Sequence, residues 1–339
     1  MAKAIALLSG GLDSTLAILT VLKQGIEVKA IKFQTPFDCD ASSLKDLLSV
    51  GRRFGFETEI CNSGEKFLAI VKNPPHGYGK NMNPCIDCRI LMLKEAKLCM
   101  DVTGAEFIVT GEVLGQRPMS QRKDMLYHID KEAGVVGQVL RPLSAKFLKI
   151  TSAEAEGIID RERLYGLSGR SRKPQMALAR EFGLDDYPAP AGGCLLTEPN
   201  YAHRLKELLT FNPSPSARDI GLLRIGRHFR LSRTCKVIVG RDEAENDAIE
   251  SLSAEKDSLL RVEGFGSPVT LGTGTLTDEA LKIAASLCAR YSDAKSIAET
   301  EVTVRQANDT FKIMVSPAGN EIIEAMRIEK TKKGKTSKV

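Results

Sequence analysis

Three short segments carry residue types that could do chemistry. The first, Ser9-Gly10-Gly11-Leu12-Asp13-Ser14, lies between a short apolar run and an amphipathic stretch. Two glycines let the backbone come close to an oxyanion, the first N–H groups of a following helix are unpaired donors, and Ser9 and Ser14 add hydroxyls. That combination makes a pyrophosphate cradle, without the Lys-Ser/Thr ending of a Walker loop. Asp13 would repel a phosphate it faced, so its natural roles are to cap the helix or to hold Mg²⁺ against the phosphates. The plainer reading is a Gly-Gly turn joining strand to helix.

The second segment is Thr110-Gly111-Glu112-Val113-Leu114-Gly115-Gln116, with Met119-Ser120-Gln121 after it. Its glycines again allow close backbone approach, and Thr110, Gln116 and their polar neighbours suit ribose, a metal or base edges. A glycine turn before the next helix is the alternative. The third is Pro84-Cys85-Ile86-Asp87-Cys88-Arg89, opening a predicted helix, with Cys194 far downstream in Gly192-Gly193-Cys194. Cysteines at i and i+3 in a first turn share a face, and the helix N-terminus and Arg89 favour their thiolates. Cys85, Cys88 and Cys194 suit a four-iron four-sulfur cluster with one open iron better than a closed zinc site. Zinc completed by His76 or His203 stays open, as does a pair in which one cysteine carries a persulfide and another releases its sulfur by forming a disulfide. Asp87 could serve as a general base or simply as a helix N-terminal acid. Cys39, Cys61, Cys99, Cys235 and Cys288 lie in or beside apolar segments and read as packing.

The elements that must position these residues follow from the periodicity. Strands are predicted at 4–8, 28–33, 58–61 and 107–110, with helices at 13–23, 42–54 and 86–102. Such a βαβ series builds a parallel sheet with helices on both faces, and its ligand sites lie at the carboxyl ends of the strands. A strand at 139–140 and helices at 152–163 and 174–182 close a first domain over 1–184. The stretch Asp186-Tyr187-Pro188-Ala189-Pro190-Ala191-Gly192-Gly193 cannot be an element interior, so 185–216 reads as a Pro/Gly-rich connector carrying Cys194. Strands at 237–239, 258–262 and 311–315 and a helix at 277–291 predict a smaller C-terminal α+β domain over 217–328. A basic tail, 329–339, follows.

The 339 residues are 27% charged and 42% hydrophobic, with no tryptophan, which is the profile of an ordinary folded protein. Lys plus Arg number 48 against 43 Asp plus Glu, a formal net charge of +5, which permits a polyanionic partner. No signal-like segment and no run of about 18 apolar residues is found, so a cytoplasmic protein with no membrane partner and reduced cysteines is expected. Arg170, Arg172 and Lys173 could meet a phosphate backbone or the activated substrate, or form a solvated helix rim. Arg224, Arg227, Arg230, Arg233 and Lys236 recur at three-residue spacing, with His228 and Phe229 between them, as an RNA-facing stripe would.

The hexapeptide at 9–14 resembles the signature of the ATP-pyrophosphatase, or PP-loop, superfamily. The resemblance implies an adenine nucleotide α-hydrolase-like fold, cleavage of ATP to AMP and pyrophosphate with adenylation of an oxygen, and adenine recognition by backbone near Phe33. The segment at 110–116, with Arg141-Pro142-Leu143, is similar to the tRNA thiouridine synthetase branch. Cluster-dependent thiolases of that superfamily use a Cys-x-x-Cys pair and a distant cysteine, as at Cys85, Cys88 and Cys194. Gly226-Arg227-His228-Phe229 with Val237-Ile238-Val239-Gly240-Arg241-Asp242 looks like the small RNA-associated domain of the NFACT family. Familiar thiouridine synthetases carry a THUMP domain first; with a strand starting at residue 4, none is expected here. These readings together imply ATP- and Mg²⁺-dependent tRNA thiolation, with sulfur supplied as sulfide or a desulfurase-derived persulfide. The rival is an ATP-pyrophosphatase acting on a small molecule, with the C-terminal domain used for assembly.

Overall fold

The computed structural model describes residues 2–37, 43–187, 194–307 and 309–329. Cys39, the Pro188–Gly193 part of the predicted connector and nearly all of the basic tail lie outside the described residues. The chain divides into two units, Met1–Thr197 and Glu198–Val339. The division falls inside the predicted connector, so the helix Pro199–Phe211 belongs to the second unit.

In the first unit, strands β1 (Lys3–Leu7), β2 (Glu27–Gln34), β3 (Glu57–Asn62), β4 (Phe107–Thr110) and β5 (Val139–Leu140) pair in parallel in the order β3-β2-β1-β4-β5. Helices α1 (Leu12–Leu22), α2 (Ser43–Phe54), α3 (Gly64–Lys72), α4 (Cys85–Thr103), α5 (Lys123–Ala133), α6 (Ser152–Ala155) and α7 (Lys173–Glu181) complete it. Helix α1 is apolar on nearly every side, from Leu12 to Val21, which fits a helix enclosed by its neighbours rather than one with a solvent face. Two apolar clusters, one containing Leu12, Leu16 and Ile18 and the other Ile5, Ile31, Leu93 and Ile108, hold the helices to the sheet. Each such side chain contributes about 1.5–3 kcal/mol on burial. The helix expected over 152–163 is not formed: α6 stops at Ala155, and Gly157 takes the left-handed region at φ 73°.

Strand order reverses between β1 and β4, where Leu7 lies opposite Thr110. A crevice at the carboxyl ends of two such strands is where open α/β sheets take ligands. Both nucleotide-type loops read from the sequence leave the sheet at this point.

The second unit holds α8 (Pro199–Phe211), α9 (Ala217–Leu222), β6 (Arg227–Arg230), β7 (Lys236–Val239), α10 (Glu243–Leu252), β8 (Ser258–Val262), β9 (Thr270–Thr273), α11 (Asp278–Arg290), β10 (Thr300–Gln306), β11 (Asp309–Val315) and α12 (Asn320–Met326). Its sheet, β11-β10-β8-β9-β7-β6, is antiparallel throughout, and an α11-centred apolar cluster covers one face. Among the described residues no helix is long and apolar enough to cross a membrane.

Candidate active site

The loop after β1 turns at Gly10, whose φ of 87° suits glycine, and Gly11 is the N-cap of α1. Ser14 Oγ donates to Gly11 O at 2.8 Å and accepts from Ser9 N at 3.2 Å, while Ser9 Oγ stands 3.1 Å from Ser14 Oγ. Among the described residues, a Cβ added at Gly11 would meet only Ser9 Oγ at 3.5 Å, an ordinary contact. The protein itself therefore does not require a glycine there, and the absent side chain leaves the cradle open to a phosphate.

Asp13 does not cap α1, contrary to one of the two roles expected of it. It lies inside the first turn; its Oδ2 accepts from Gln116 Nε2 at 2.9 Å, and its Oδ1 is buried with no hydrogen-bond partner among the described residues. A buried carboxylate oxygen without a donor suits a cation. Phe33 is buried in the core at the end of β2, so only its backbone is available to a nucleotide.

Gly111 has a different role from Gly11. A Cβ there would lie 2.5 Å from Ser14 N and Cα and 2.6 Å from Asp13 C, so the backbone after β4 packs directly on the start of α1. The close approach is thus made to the loop rather than to a ligand. Thr110 and Glu112 point inward: Thr110 Oγ1 donates to Glu112 Oε2 at 3.2 Å, which also accepts from Arg141 Nε at 2.9 Å. Arg141 clamps Asp130 with its other two nitrogens at 2.7 and 2.9 Å, and Arg89 Nε stands 3.7 Å from Glu112 Oε1. Burial works to raise the Glu112 carboxyl, but Arg141 and Arg89 outweigh it and hold it below the ordinary carboxylate range. The Arg141 guanidinium shifts upward: burial opposes this, and Glu112 and Asp130 overcome it. The sequence does not single out Asp130; the available signal is a lone Arg141 straight after the apolar Val139-Leu140.

From Gly111 the chain closes a tight turn, with Gly115 N donating to Gln121 O at 2.7 Å and Arg117 N to Gln121 Oε1 at 2.9 Å. This turn reaches both candidate centres. Gln116 holds Asp13, and the fully buried Ser120 accepts from Cys85 Sγ at 3.3 Å. The same turn is flanked by the Arg170 loop, where Gly169 N donates to Leu114 O at 2.7 Å. Arg170 and Lys173 are exposed and Arg172 half-buried at the start of α7.

Cys85 and Cys88 occupy the first turn of α4, as predicted. The thiolate expected at Cys88 is not favoured: burial pushes its thiol far up, the neighbouring Cys194 and Cys85 add to this, and Arg89 opposes it without prevailing. Arg89 is directed to Glu112 instead. Cys85 and Cys194 both lie near enough to Cys88 to act on its thiol electrostatically. Among the described residues no three His, Cys, Asp or Glu side chains converge as they stand to hold a metal ion. A four-iron cluster does not ask for convergence on one point, because each thiolate takes a separate iron. Cys235 and Cys288 are buried, in keeping with packing roles.

Asp87 is also buried, and both its oxygens face His76: Oδ2 accepts from His76 N at 3.1 Å and Oδ1 from His76 Nδ1 at 2.7 Å. His76 Nε2 in turn lies 3.1 Å from His128 Nε2 on α5. No local pattern marks His128, because 52 residues separate it from His76.

In the second unit the three-residue arginine spacing falls partly on a strand. With side chains alternating, Arg227 and Arg230 of β6 point to opposite faces, so they do not form a common stripe. Arg227 stacks 4.5 Å over Tyr291 and donates to Gly240 O at 3.1 Å; Arg230 stacks 4.5 Å over Phe211 and donates to Glu207 Oε1 at 2.5 Å. Arg224 lies half-buried before the strand.

Residues 1–151 match the family model described as thiamine biosynthesis protein (ThiI), and residues 226–327 match that of the NFACT protein RNA binding domain. Both resemblances read from the sequence are therefore met. A probable tRNA sulfurtransferase of Thermoanaerobacter sp. (strain X514) is 32% identical over 146 residues, covering 42% of this chain and 36% of that protein. One from Thermotoga maritima is 33% identical over 149 residues, again 42% and 36%. The chain thus spans about a third of the length of these relatives. Among solved structures, a 4-thiouridine synthetase in complex with RNA and bound ATP overlaps 54% of this chain and 52% of its own, at 22% identity and a TM-score of 0.35. That overlap is too loose to bear on the chemistry here.

Proposed function

We propose that the chain activates an oxygen of a tRNA base with ATP and replaces it with sulfur, releasing AMP and pyrophosphate. The observation that carries this reading is the turn at 113–121, which holds Asp13 of the phosphate-type loop through Gln116 and Cys85 of the cysteine site through Ser120. Adenylation and sulfur delivery must occur on one base without its release, and this turn supports both centres. The names of the partial relatives point the same way.

In this reading the first-turn N–H groups of α1, with Ser9, Gly10, Gly11 and Ser14, bind the phosphates, and Asp13 Oδ1 holds Mg²⁺. Thr110 and Gly111 support the loop from below, backbone at Phe33 borders the adenine, and Arg170, Arg172 and Lys173 neutralise substrate phosphates. A four-iron four-sulfur cluster held by Cys85, Cys88 and Cys194 would leave one iron without a protein ligand, and so a place for the incoming sulfur. The donor set fits that group, and binding would convert the protonated Cys88 thiol to thiolate with release of a proton. The second unit supplies RNA affinity, while Arg224, Arg227 and Arg230 serve its internal packing.

The test is anaerobic incubation of the reconstituted protein with bulk tRNA, MgATP and sulfide, followed by nucleoside mass spectrometry. One thiouridine formed per AMP and pyrophosphate is expected. ATP cleavage that needs no RNA and yields a modified small molecule would replace this reading with the small-molecule one.

A further inference from the structure

His128, His76 and Asp87 form a chain of polar contacts for which nothing in the adenylation scheme above accounts. With both rings neutral, its polarity follows from the acceptor at its end. A carboxylate only accepts, so the 2.7 Å contact to Asp87 Oδ1 puts the proton of His76 on Nδ1 and leaves a lone pair on its Nε2. That lone pair faces His128 Nε2 at 3.1 Å, so His128 carries its proton on Nε2 and keeps its own lone pair on Nδ1. The two rings meet edge to face at 77°, with centroids 5.1 Å apart. Nδ1 of His128 has no partner among the described residues, and that ring lies at the half-buried end of the chain, whereas Asp87 lies at the buried end.

We propose that His128 Nδ1 is the proton acceptor of the adenylation step, backed by His76 and Asp87 as positioning residues. This inference rests on the proposed function. A uracil oxygen that attacks the α-phosphorus must shed the adjacent ring N–H. As the new O–P bond forms, the bond to the pyrophosphate oxygen breaks and takes its electron pair with the leaving group. The ring N–H proton passes to His128 Nδ1 and His128 Nε2–H moves to His76 Nε2, while Asp87 keeps its two contacts to His76 and so holds that ring in place. The location suits such a relay, since Asp87 sits in the first turn of α4 between Cys85 and Cys88, and Cys85 is joined to the turn that holds Asp13. The buried Asp87, with both oxygens on His76, is thereby the orienting end of the relay and not the base that meets substrate.

The experiment follows pyrophosphate release by the full-length protein with bulk tRNA, comparing wild type with His128→Gln and Asp87→Asn. Histidine side-chain ¹⁵N NMR is recorded on the same samples. The expected result is a loss of about 10²-fold in kcat for His128→Gln with KM for ATP and tRNA unchanged, partly restored by added imidazole. In the spectra, wild-type His76 should appear as the Nδ1–H tautomer and lose that preference in Asp87→Asn. A His128→Gln variant with wild-type kcat, or a His76 protonated on Nε2, would overturn the relay and leave the adenylation reading standing. Tightly bound zinc lost in His128→Gln would also overturn it, in favour of a metal centre. A wild type that releases no pyrophosphate with any RNA would remove the adenylation reading, and the relay's role with it.

Discussion

Gly111→Ala is the substitution whose effect the structure fixes most directly. Its Cβ would stand 2.5 Å from Ser14 N and Cα, where ordinary van der Waals contact begins near 3.4 Å. The neighbours are backbone atoms of the first turn of α1, so no flexible side chain can give way, and the start of the helix must move by about 1 Å. A shift of that size in a substrate-positioning group costs on the order of 10²-fold in rate, and forcing a methyl into a packed site adds about 1–3 kcal/mol of destabilisation. Gly11→Ala is the matched control: among the described residues its Cβ meets only Ser9 Oγ at 3.5 Å, so the fold should be kept while phosphate loses its room. Isothermal titration with a non-hydrolysable ATP analogue, alongside thermal unfolding, separates the two. Gly111→Ala should lower both affinity and Tm, and Gly11→Ala affinity alone. A Gly111→Ala variant that binds nucleotide and melts like wild type would refute the reasoning.

Arg141→Met removes the only close cation of Asp130 among the described residues and the nearer of two for Glu112, so about 3–5 kcal/mol should be lost. Adding Glu112→Gln and Asp130→Asn should restore most of it in denaturant unfolding; no recovery would show that the arginine acts through shape. Cys194→Ala should abolish iron retention after anaerobic reconstitution, read by iron analysis and visible absorbance. Iron kept in full would assign the cluster to other ligands or remove Cys194 from it. The second unit should weaken in acid. Burial, then Lys236 and Arg204, hold the His228 imidazole well below its ordinary 6.5, so below that pH the unfolded chain takes a proton the folded one refuses. Stability should fall by about 1.4 kcal/mol per pH unit below pH 6.5 until the folded-state value is reached. A His228→Gln variant with the same acid slope in calorimetry would contradict this.

The parallel sheet is legible because each strand and its following helix are written within about 30 residues. The apolar Ala4–Leu8 run, the glycine pair and the helix after them admit few alternatives. Sequence and structure differ where local pattern and tertiary context part. Arginines three apart suggest a stripe on a helix or in a loop, but β6 is a strand, and its two-residue repeat sends Arg227 and Arg230 apart. The amphipathic stretch after Ser152 looks continuous, yet Gly157 ends it. The Glu112–Arg141–Asp130 cluster and the His76–His128 contact are not legible, because they join residues from different elements whose proximity only the sheet order creates. The three cysteines are legible as types and spacing, whereas the protonated state of Cys88 depends on burial, which no spacing reveals.

Ser120 is the point where two ligand states of the protein must disagree. With Cys85 as a thiol, the sulfur donates and the buried hydroxyl accepts; once the sulfur is a metal-bound thiolate it can only accept, and the hydroxyl must reverse. The same short turn holds Asp13 through Gln116, so any rearrangement that follows the reversal is transmitted to the phosphate loop. Thermodynamic linkage then makes the effect mutual: whatever factor cluster loading imposes on ATP affinity, ATP imposes on cluster retention. On the proposed cluster reading, Ser120→Ala is the change expected to remove this coupling, whichever sign it has.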